Sequence, residues 1–319
     1  MRRIISVALA CCQLAIAQKP GETPRQFELK AESPKFWEFF AKDAKLEKVA
    51  GGFGFTEGPV WDPHGFLYVS DEEKNKLSRL YPDGRLETVL EIADPDGSTL
   101  DGKGRLVTTA SVLRAIIRVD PDGKYKVLAD KYDGKKFNSP NDVILGPDGA
   151  LYFTDPTLDL PKGEKQELPY QGVYRLGADG SVRLLTTELV QPNGLAFSPN
   201  GKRLYVDDTE RQEIRMYDVG LNGELKNGRL FGNEKGRDGV PDGMRVDLKG
   251  NVFVTGPGGI WIWDPNGNHL GTILMPESTA NLNWGDADYR TLYITASTSV
   301  YRLKTRTRGF LPGQDRMAK

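Results

Sequence analysis

The chain has 319 residues, which suits either two small domains or one large all-β domain built from repeats. Its 43 basic and 44 acidic residues nearly balance, so a nucleic-acid-binding surface is not expected. Both cysteines, Cys11 and Cys12, lie close to the N-terminus, which excludes a disulfide or a cysteine nucleophile from the rest of the chain.

Residues 1–17 have the features of a secretory signal peptide. Arg2 and Arg3 precede an apolar run that ends in an Ala-x-Ala pattern before Gln18. The run is too short for a membrane span, so we expect an exported protein, periplasmic or secreted, whose mature form has no span. A lipoprotein signal at Cys11 is a weaker alternative, because a leucine stands one position away from where such a signal requires it.

The segment 18–44 is expected to form an N-terminal extension. It is polar and extended as far as Ser33, and the pair Ser33-Pro34 is typical of an N-cap followed by the first residue of a helix. A short helix is therefore predicted here. Its aromatic residues, among them Phe36 and Phe39, are expected to pack against the main domain rather than to form a binding site.

A repeated pattern organises residues 45–305. In each clear copy, an oxygen-bearing side chain stands eight residues before a turn glycine, and a short apolar run lies between them. The clear copies are Glu57 with Gly65, Asn141 with Gly149, Asn193 with Gly201, and Asp242 with Gly250. Weaker copies begin at Asp96 and Asn281. Six copies at a spacing of roughly forty to fifty residues predict the blades of a β-propeller.

The turns within each repeat indicate four strands per blade. Turns that end in glycine recur twice in five of the six repeats, and most of them contain Asp-Gly or Asn-Gly, which are strong hairpin signals. The sixth repeat lacks one strand, because the chain continues after Leu303 into a basic tail, 306–319. We predict that residues 46–50 supply the missing outer strand. The predicted fold is therefore an all-β, six-bladed β-propeller closed by an N-terminal strand.

The oxygen-bearing residues would form a ring at one mouth of the central channel, where the six innermost strands begin. Carboxylate and amide oxygens are the ligands that hard divalent cations prefer. The predicted metal ligands are Glu57, Asn141, Asn193 and Asp242. An all-oxygen site favours Ca²⁺, while Mg²⁺, Mn²⁺ and Zn²⁺ stay open. The alternative is structural, since Asn-Gly and Asp-Gly pairs also cap turns.

Other catalytic chemistries have little support in this sequence. The two histidines, His64 and His269, are expected in or after turns away from the ring, which argues against a serine triad or a zinc site of His and Cys ligands. A metal-polarised carbonyl remains, with Asp242 as the base that activates water and Glu57 mainly as a ligand. The long stretch 156–171 is expected above the ring, either as a lid or specificity wall or as an ordinary surface loop.

Five segments together resemble the senescence-marker-protein/gluconolactonase family, in its bacterial gluconolactonase-like branch. They are residues 57–61, 138–143, 152–156, 191–199 and 240–247. The resemblance implies a six-bladed propeller with one divalent ion that hydrolyses a sugar lactone to the aldonic acid. It assigns metal ligands to Glu57, Asn193 and Asp242, and the base to Asp242. Asn141 would be a fourth ligand or lie close to metal and substrate.

The same resemblance implies which residues border the substrate. Asp96, Asp155 and Asn281 would line the pocket, and Ser111 and Arg114 fall in a cluster that faces the substrate in relatives. Relatives often have His at the position of Ser111 and Asn at that of Asp96, so the identity of the lactone stays open. A hydrolase of aryl esters or organophosphates, or a propeller that only binds a ligand, are the alternatives. The partner expected is a small lactone, and the protein is expected to be a monomer or weak dimer.

Overall fold

The computed structural model describes residues 25–236 and 238–312. The predicted signal peptide, both cysteines and the last residues of the basic tail lie outside this part. Six antiparallel sheets, five of four strands and one of five, form the blades of a propeller, as predicted. Within the described residues, no helix is long and apolar enough to cross a membrane.

The first three blades contain strands β3 to β16. Blade one comprises β3 (Thr56–Asp62), β4 (Phe66–Asp71), β5 (Lys76–Leu80) and β6 (Leu86–Glu91). Blade two comprises β7 (Pro95–Leu100), β8 (Leu106–Ala110), β9 (Ala115–Val119) and β10 (Tyr125–Ala129). A small hairpin follows, formed by β11 (Lys131–Tyr132) and β12 (Lys135–Lys136). Blade three comprises β13 (Val143–Leu145), β14 (Leu151–Asp155), β15 (Gly172–Leu176) and β16 (Val182–Thr186).

The last three blades contain strands β17 to β27. Blade four comprises β17 (Pro192–Phe197), β18 (Arg203–Asp208), β19 (Glu213–Val219) and β20 (Leu225–Asn233). Blade five comprises β21 (Met244–Val246), β22 (Val252–Gly256), β23 (Gly259–Trp263) and β24 (His269–Leu274). Blade six comprises β25 (Thr279–Gly285), β26 (Thr291–Ala296), β27 (Ser299–Lys304) and the N-terminal strand β2 (Leu46–Gly51).

Strand β2 closes the ring of blades as the sequence predicted. It pairs antiparallel with β27, with Leu46 opposite Leu303 and Lys48 opposite Tyr301. The outer strand of blade six therefore comes from the N-terminal end of the chain and the other three strands from the C-terminal end. This pairing covers a sheet edge and ties the two ends of the propeller together.

The short N-terminal helix is also confirmed, as a 3₁₀ helix over Pro34–Glu38. Ser33 is its N-cap, and the Ser33 hydroxyl accepts a hydrogen bond from the Lys35 amide at 3.4 Å. Phe36 is fully buried within a cluster of apolar side chains from blades five and six. Ahead of the helix, strand β1 (Glu28–Ala31) pairs with β24 and adds a fifth strand to blade five.

The C-terminal segment 305–312 crosses the end of the channel where the innermost strands finish. The Phe310 amide donates to the Val246 carbonyl, and the Leu248 amide donates to the Arg308 carbonyl, both at 2.9 Å. Phe310 and Leu311 help to line a cavity of about 40 Å³ beneath this segment. The other cavity walls come from the innermost strands of all six blades. The tail thus covers one end of the channel, and the oxygen-bearing ring lies at the other.

Candidate functional site

The innermost strands bring the six predicted ring residues to one mouth of the channel. The Asn141 amide nitrogen donates to Asp96 Oδ2 at 2.7 Å, which joins blades three and two. The Asn281 amide nitrogen donates to Glu57 Oε2 at 2.8 Å, which joins blades six and one. Burial and the charge of Glu57 raise the pKa of Asp242, and a hydrogen bond from Asn193 partly opposes this increase. Besides burial, the charge of Glu57 also raises the pKa of Asp96, so hydrogen bonds and charge together link all six residues into one group.

Close packing of the blades depends on glycines that follow the ring residues. Gly58 has a φ of 53°, and a Cβ atom at this position would lie 2.1 Å from the Asp96 carbonyl oxygen. A Cβ atom at Gly194 would lie 2.1 Å from the Asp242 carbonyl oxygen, to which the Gly194 amide donates at 2.7 Å. Glycine is needed at both places, because a side chain would push neighbouring blades apart.

The ring concentrates carboxyl groups in a buried space. Burial, followed by the charge of Asp142, raises the pKa of Glu57 to about 8. Burial likewise raises the pKa of Asp242 and of Asp96 well above the usual range, with further increases from neighbouring carboxylates. The buried Arg245 lies 3.3 Å from Asp142 and compensates that carboxylate. Ionised carboxylates at the ring would therefore be stabilised by an added cation.

Among the fully buried side-chain oxygens of the ring, one has no hydrogen-bond partner in the described part of the chain. It is Oε1 of Glu57, a side chain only 2% exposed, while Oε2 accepts from the Gly58 amide and from Asn281. An uncompensated buried carboxylate oxygen is a natural ligand for a hard cation. Within residues 25–236 and 238–312, no three Asp, Glu, His or Cys side chains form a metal-binding cluster. A divalent ion would thus also need the oxygens of Asn141 and Asn193, and this donor set fits one.

A second ring of side chains lies on the second strand of each of these blades, next to the innermost strand. Its side chains form hydrogen bonds with the backbone of the ring residues. Hydroxyl groups on these strands donate to ring-residue carbonyls of the next blade: Ser70 to Asp96 at 2.8 Å, Thr109 to Asn141 at 2.6 Å, and Thr154 to Asn193 at 2.8 Å. Blade four has Asp207 at this position. Asp207 is fully buried, and neither of its carboxylate oxygens has a hydrogen-bond partner among the described residues.

The environment of Asp207 favours its neutral form. Burial raises the pKa of Asp207 well above the usual range, and the charges of Asp242 and Glu234 raise it further. Asp207 was not among the residues predicted from the sequence. An alignment of the second strands would have revealed it, because Ser or Thr occupies the matching position in the three blades described above.

The long stretch 156–171 lies over the ring, as expected from the strand direction. Its residue Asp159 donates a backbone hydrogen bond to the Ser139 hydroxyl at 3.2 Å. Burial raises the pKa of the Asp159 carboxyl to about 6, and a hydrogen bond with Asn141 lowers it. The Asp159 charge in turn raises the pKa of Asp242. These contacts favour the interpretation as a wall or lid of the site, and no local pattern in the sequence identified Asp159.

The five predicted substrate-binding residues divide into two groups. Asp96 and Asn281 belong to the ring. The other three, Ser111, Asp155 and Arg114, lie behind the ring. The Ser111 hydroxyl donates to the Pro140 carbonyl at 2.8 Å and is 3.5 Å from Asp96 Oδ2. Asp155 is fully buried and accepts from the Asn138 amide at 2.9 Å. For all five, contact with substrate stays a prediction.

Comparisons with known proteins agree with this architecture. The family model described as "SMP-30/Gluconolactonase/LRE-like region" matches residues 55–298. A gluconolactonase of Zymomonas mobilis is 35% identical over 306 residues, which cover 87% of this chain and 86% of that protein. An L-arabinolactonase of Azospirillum brasilense is 32% identical and covers 76% of this chain and 80% of that protein.

Solved structures give the same result. The structure of a gluconolactonase from Xanthomonas campestris superposes with a TM-score of 0.82 at 32% sequence identity, and the match covers 91% of this chain and 99% of that chain. The family match spans most of the chain and contains all six ring residues. The protein therefore belongs to the SMP-30/gluconolactonase/LRE-like family.

Proposed function

We propose that this protein is a lactone hydrolase that opens a sugar lactone to the corresponding aldonic acid. The observation that carries the proposal is the ring of Glu57, Asn141, Asn193 and Asp242 at the mouth that the tail leaves uncovered. Relatives support the enzyme class, since those most similar in sequence include a gluconolactonase, a pentonolactonase and an L-arabinolactonase. The different sugars in these names leave the lactone of this protein to experiment.

The same four residues would hold one divalent ion, for which calcium is favoured because every ligand is an oxygen. Such an ion, when bound, would polarise the lactone carbonyl and lower the barrier to attack. Two features support this assignment: the uncompensated Oε1 of Glu57 and the crowding of buried carboxyl groups around it. Both are relieved by a positive charge at the centre of the ring.

Asp242 is the residue that we assign as general base. Its side chain is half-buried at the mouth, so it can meet a water molecule that approaches the substrate. In its ionised form Asp242 takes a proton from this water, whose oxygen forms a bond to the carbonyl carbon. The ring C–O bond of the lactone then breaks, and the proton passes to the departing oxygen. Burial, followed by the charge of Glu57, raises the pKa of Asp242 and makes it a stronger base than an isolated aspartate.

The remaining polar groups at the mouth would orient the sugar. Asp96 and Asp159 offer carboxylate oxygens that accept hydrogen bonds from sugar hydroxyls. Asn281 lies beside Glu57 and would help to hold it in place. A substrate with several hydroxyl groups matches this wall, because hydroxyl groups can donate hydrogen bonds to the carboxylates. An apolar substrate would leave these carboxylates buried without partners.

The direct test is lactone hydrolysis measured as acid release above the spontaneous rate. The protein is stripped of metal, and Ca²⁺, Mg²⁺, Mn²⁺ and Zn²⁺ are restored one at a time with glucono- and arabinolactones as substrates. We expect hydrolysis that depends on the restored ion. Activity on a phosphotriester or an aryl ester without lactone hydrolysis would favour the esterase alternative. Inactivity on all three classes would leave a binding role.

A further inference from the structure

The turn between β8 and β9 contains a buried arginine in an uncommon backbone conformation. Arg114 has a φ of 60°, a region that few non-glycine residues adopt, and its side chain is only 3% exposed. Its Nε donates to the Phe137 carbonyl at 2.5 Å. The guanidinium is thereby fixed on the body of the propeller, beside the long loop 156–171.

Two acids of that loop approach the fixed guanidinium. Arg114 Nη1 lies 3.3 Å from Glu164 Oε2 and 4.0 Å from Glu167 Oε1. The Lys136 amide donates to the other oxygen of Glu167 at 2.9 Å. These contacts attach the part of the loop that projects into solvent, since residues 162–167 are all exposed.

The base of the loop is held separately, close to the ring. The Asp159 amide is bonded to the Ser139 hydroxyl, and Thr157 exchanges hydrogen bonds with the Gln191 side chain at 3.0 and 2.9 Å. Leu168 is buried in the apolar core of blade three. The loop is therefore anchored on both sides of the ion pairs with Arg114, so loss of these pairs would release the exposed part of the loop over the ring without unfolding the blade.

We propose that Arg114 is a positioning residue that clasps the loop 156–171 over the ring through Glu164 and Glu167. This assigns Arg114 a role different from direct substrate contact. Burial raises the pKa of the nearby Asp155 to about 8, and the Arg114 charge opposes this increase. The bond from Nε to the Phe137 carbonyl does not involve the loop, so the guanidinium keeps this partner even when the loop moves away. The contact of Arg114 with the propeller therefore persists, whereas its ion pairs with Glu164 and Glu167 of the loop can break.

The test uses trypsin, because the exposed part of the loop contains Lys162 and Lys165. Fragments that end at these residues are quantified by mass spectrometry. Glu164→Gln is the main variant, since Glu164 is 51% exposed and its replacement is expected to leave the fold intact. The matched control is Glu188→Gln, which removes a comparable pair between Glu188 and Arg215 at 3.4 Å, where Glu188 is 57% exposed.

We expect cleavage in the loop to be roughly two- to fivefold faster in Glu164→Gln, the range of a half-exposed ion pair. Arg114→Lys keeps the charge but loses the planar fork, so cleavage should be about tenfold faster. Glu188→Gln should match the wild type. The expected effect on catalysis rests on the proposed function. Glu164→Gln and Arg114→Lys should each raise KM for the lactone more than they lower kcat. The melting temperature of Glu164→Gln should equal that of the wild type.

Two results would overturn the clasp. One is wild-type cleavage of the loop in both Glu164→Gln and Arg114→Lys. The other is a raised KM in Arg114→Lys together with unchanged cleavage, which would mean direct substrate contact. If Arg114→Lys does not fold, Glu164→Gln decides alone. If the wild type hydrolyses no lactone, the proposed function fails, and the cleavage rates still decide whether the clasp exists.

Discussion

The two ends of the central channel are built by the same six strands and yet differ in chemistry. At the mouth where these strands begin, carboxyl and amide groups crowd together, and Glu57 retains a buried oxygen without compensation in the described structure. At the other end, Phe310 and Leu311 cover a small cavity that includes Val60 and Ile144 among its walls. A buried charge without a partner costs free energy, and in this protein it lies where a ligand could balance it. At the opposite end, apolar side chains such as Leu311 are buried and contribute to stability.

The largest effect is expected from Asp242→Asn at the polar end. Loss of the base should lower kcat/KM for lactone hydrolysis by about 10²- to 10⁴-fold. Because one of several mutually repelling carboxyl groups is removed, the melting temperature should stay the same or increase. Steady-state kinetics and thermal unfolding measure the two quantities. Asp179→Asn, in an exposed turn, is the control; unchanged turnover in Asp242→Asn would reject the assignment of the base.

Metal binding should also distinguish the two ends. Removal of divalent ions should abolish turnover and lower the melting temperature, and restored Ca²⁺ should stabilise the wild type by about 2.7 kcal/mol at a hundredfold excess over Kd. Glu57→Gln should lose most of this stabilisation, because one charged ligand is gone. Leu311→Ala, at the apolar end, should retain it. An equal calcium-dependent shift in Glu57→Gln and in the wild type would place the ion elsewhere.

A substitution at the apolar end should lower the stability of the protein and leave its catalytic activity unchanged. Leu311 is buried, and Leu311→Ala should lower the free energy of unfolding by about 2 to 5 kcal/mol through lost apolar contacts. We expect kcat/KM to remain within about twofold of the wild type, since the ring is untouched. Denaturant unfolding and lactone kinetics test the two halves of this prediction. A large loss of activity in the folded variant would show that the two ends are coupled.

The smallest effect concerns Asp207, the acid in the second ring. Its pKa is raised by burial, so the folded state holds a proton that the unfolded state loses above about pH 3.9. The stability from this group is complete below that pH and declines as pH rises through the folded-state pKa. Asp207→Thr should remove this decline and stabilise the protein by about 1 to 3 kcal/mol near neutral pH. The gain should be larger at pH 8 than at pH 5; equal gains would contradict a proton on Asp207.

Much of the architecture was predictable because it is encoded in local patterns. The offset of eight residues between Glu57 and Gly65, repeated at Asn141 and Asn193, identified the blades and the residues at their openings. The missing strand in the last repeat predicted closure by β2. Such features follow from turn chemistry and strand periodicity, which act over a few residues and can be read along the chain.

The parts that were missed depend on contacts between distant segments. Asp159 comes to the ring only because the loop 156–171 folds back over it, and Asp207 is unusual only beside the hydroxyls of other blades. For Arg114, contact with substrate stays a prediction, and the contacts of its guanidinium with Phe137 and Glu164 could not be read from the sequence. Burial and the charges of neighbours across blades decide these roles, and neither quantity is contained in a local stretch of sequence.

The sequence by itself therefore determined the six-bladed fold, its closure and the set of oxygen-bearing residues at the strand starts. Only the tertiary structure decided which of these oxygens are compensated, which acids lie near Asp242, and which end of the channel the tail covers. The physical reason is range: strand and turn preferences are set by adjacent residues, whereas desolvation and Coulomb interactions are set by whatever the fold brings within a few ångströms.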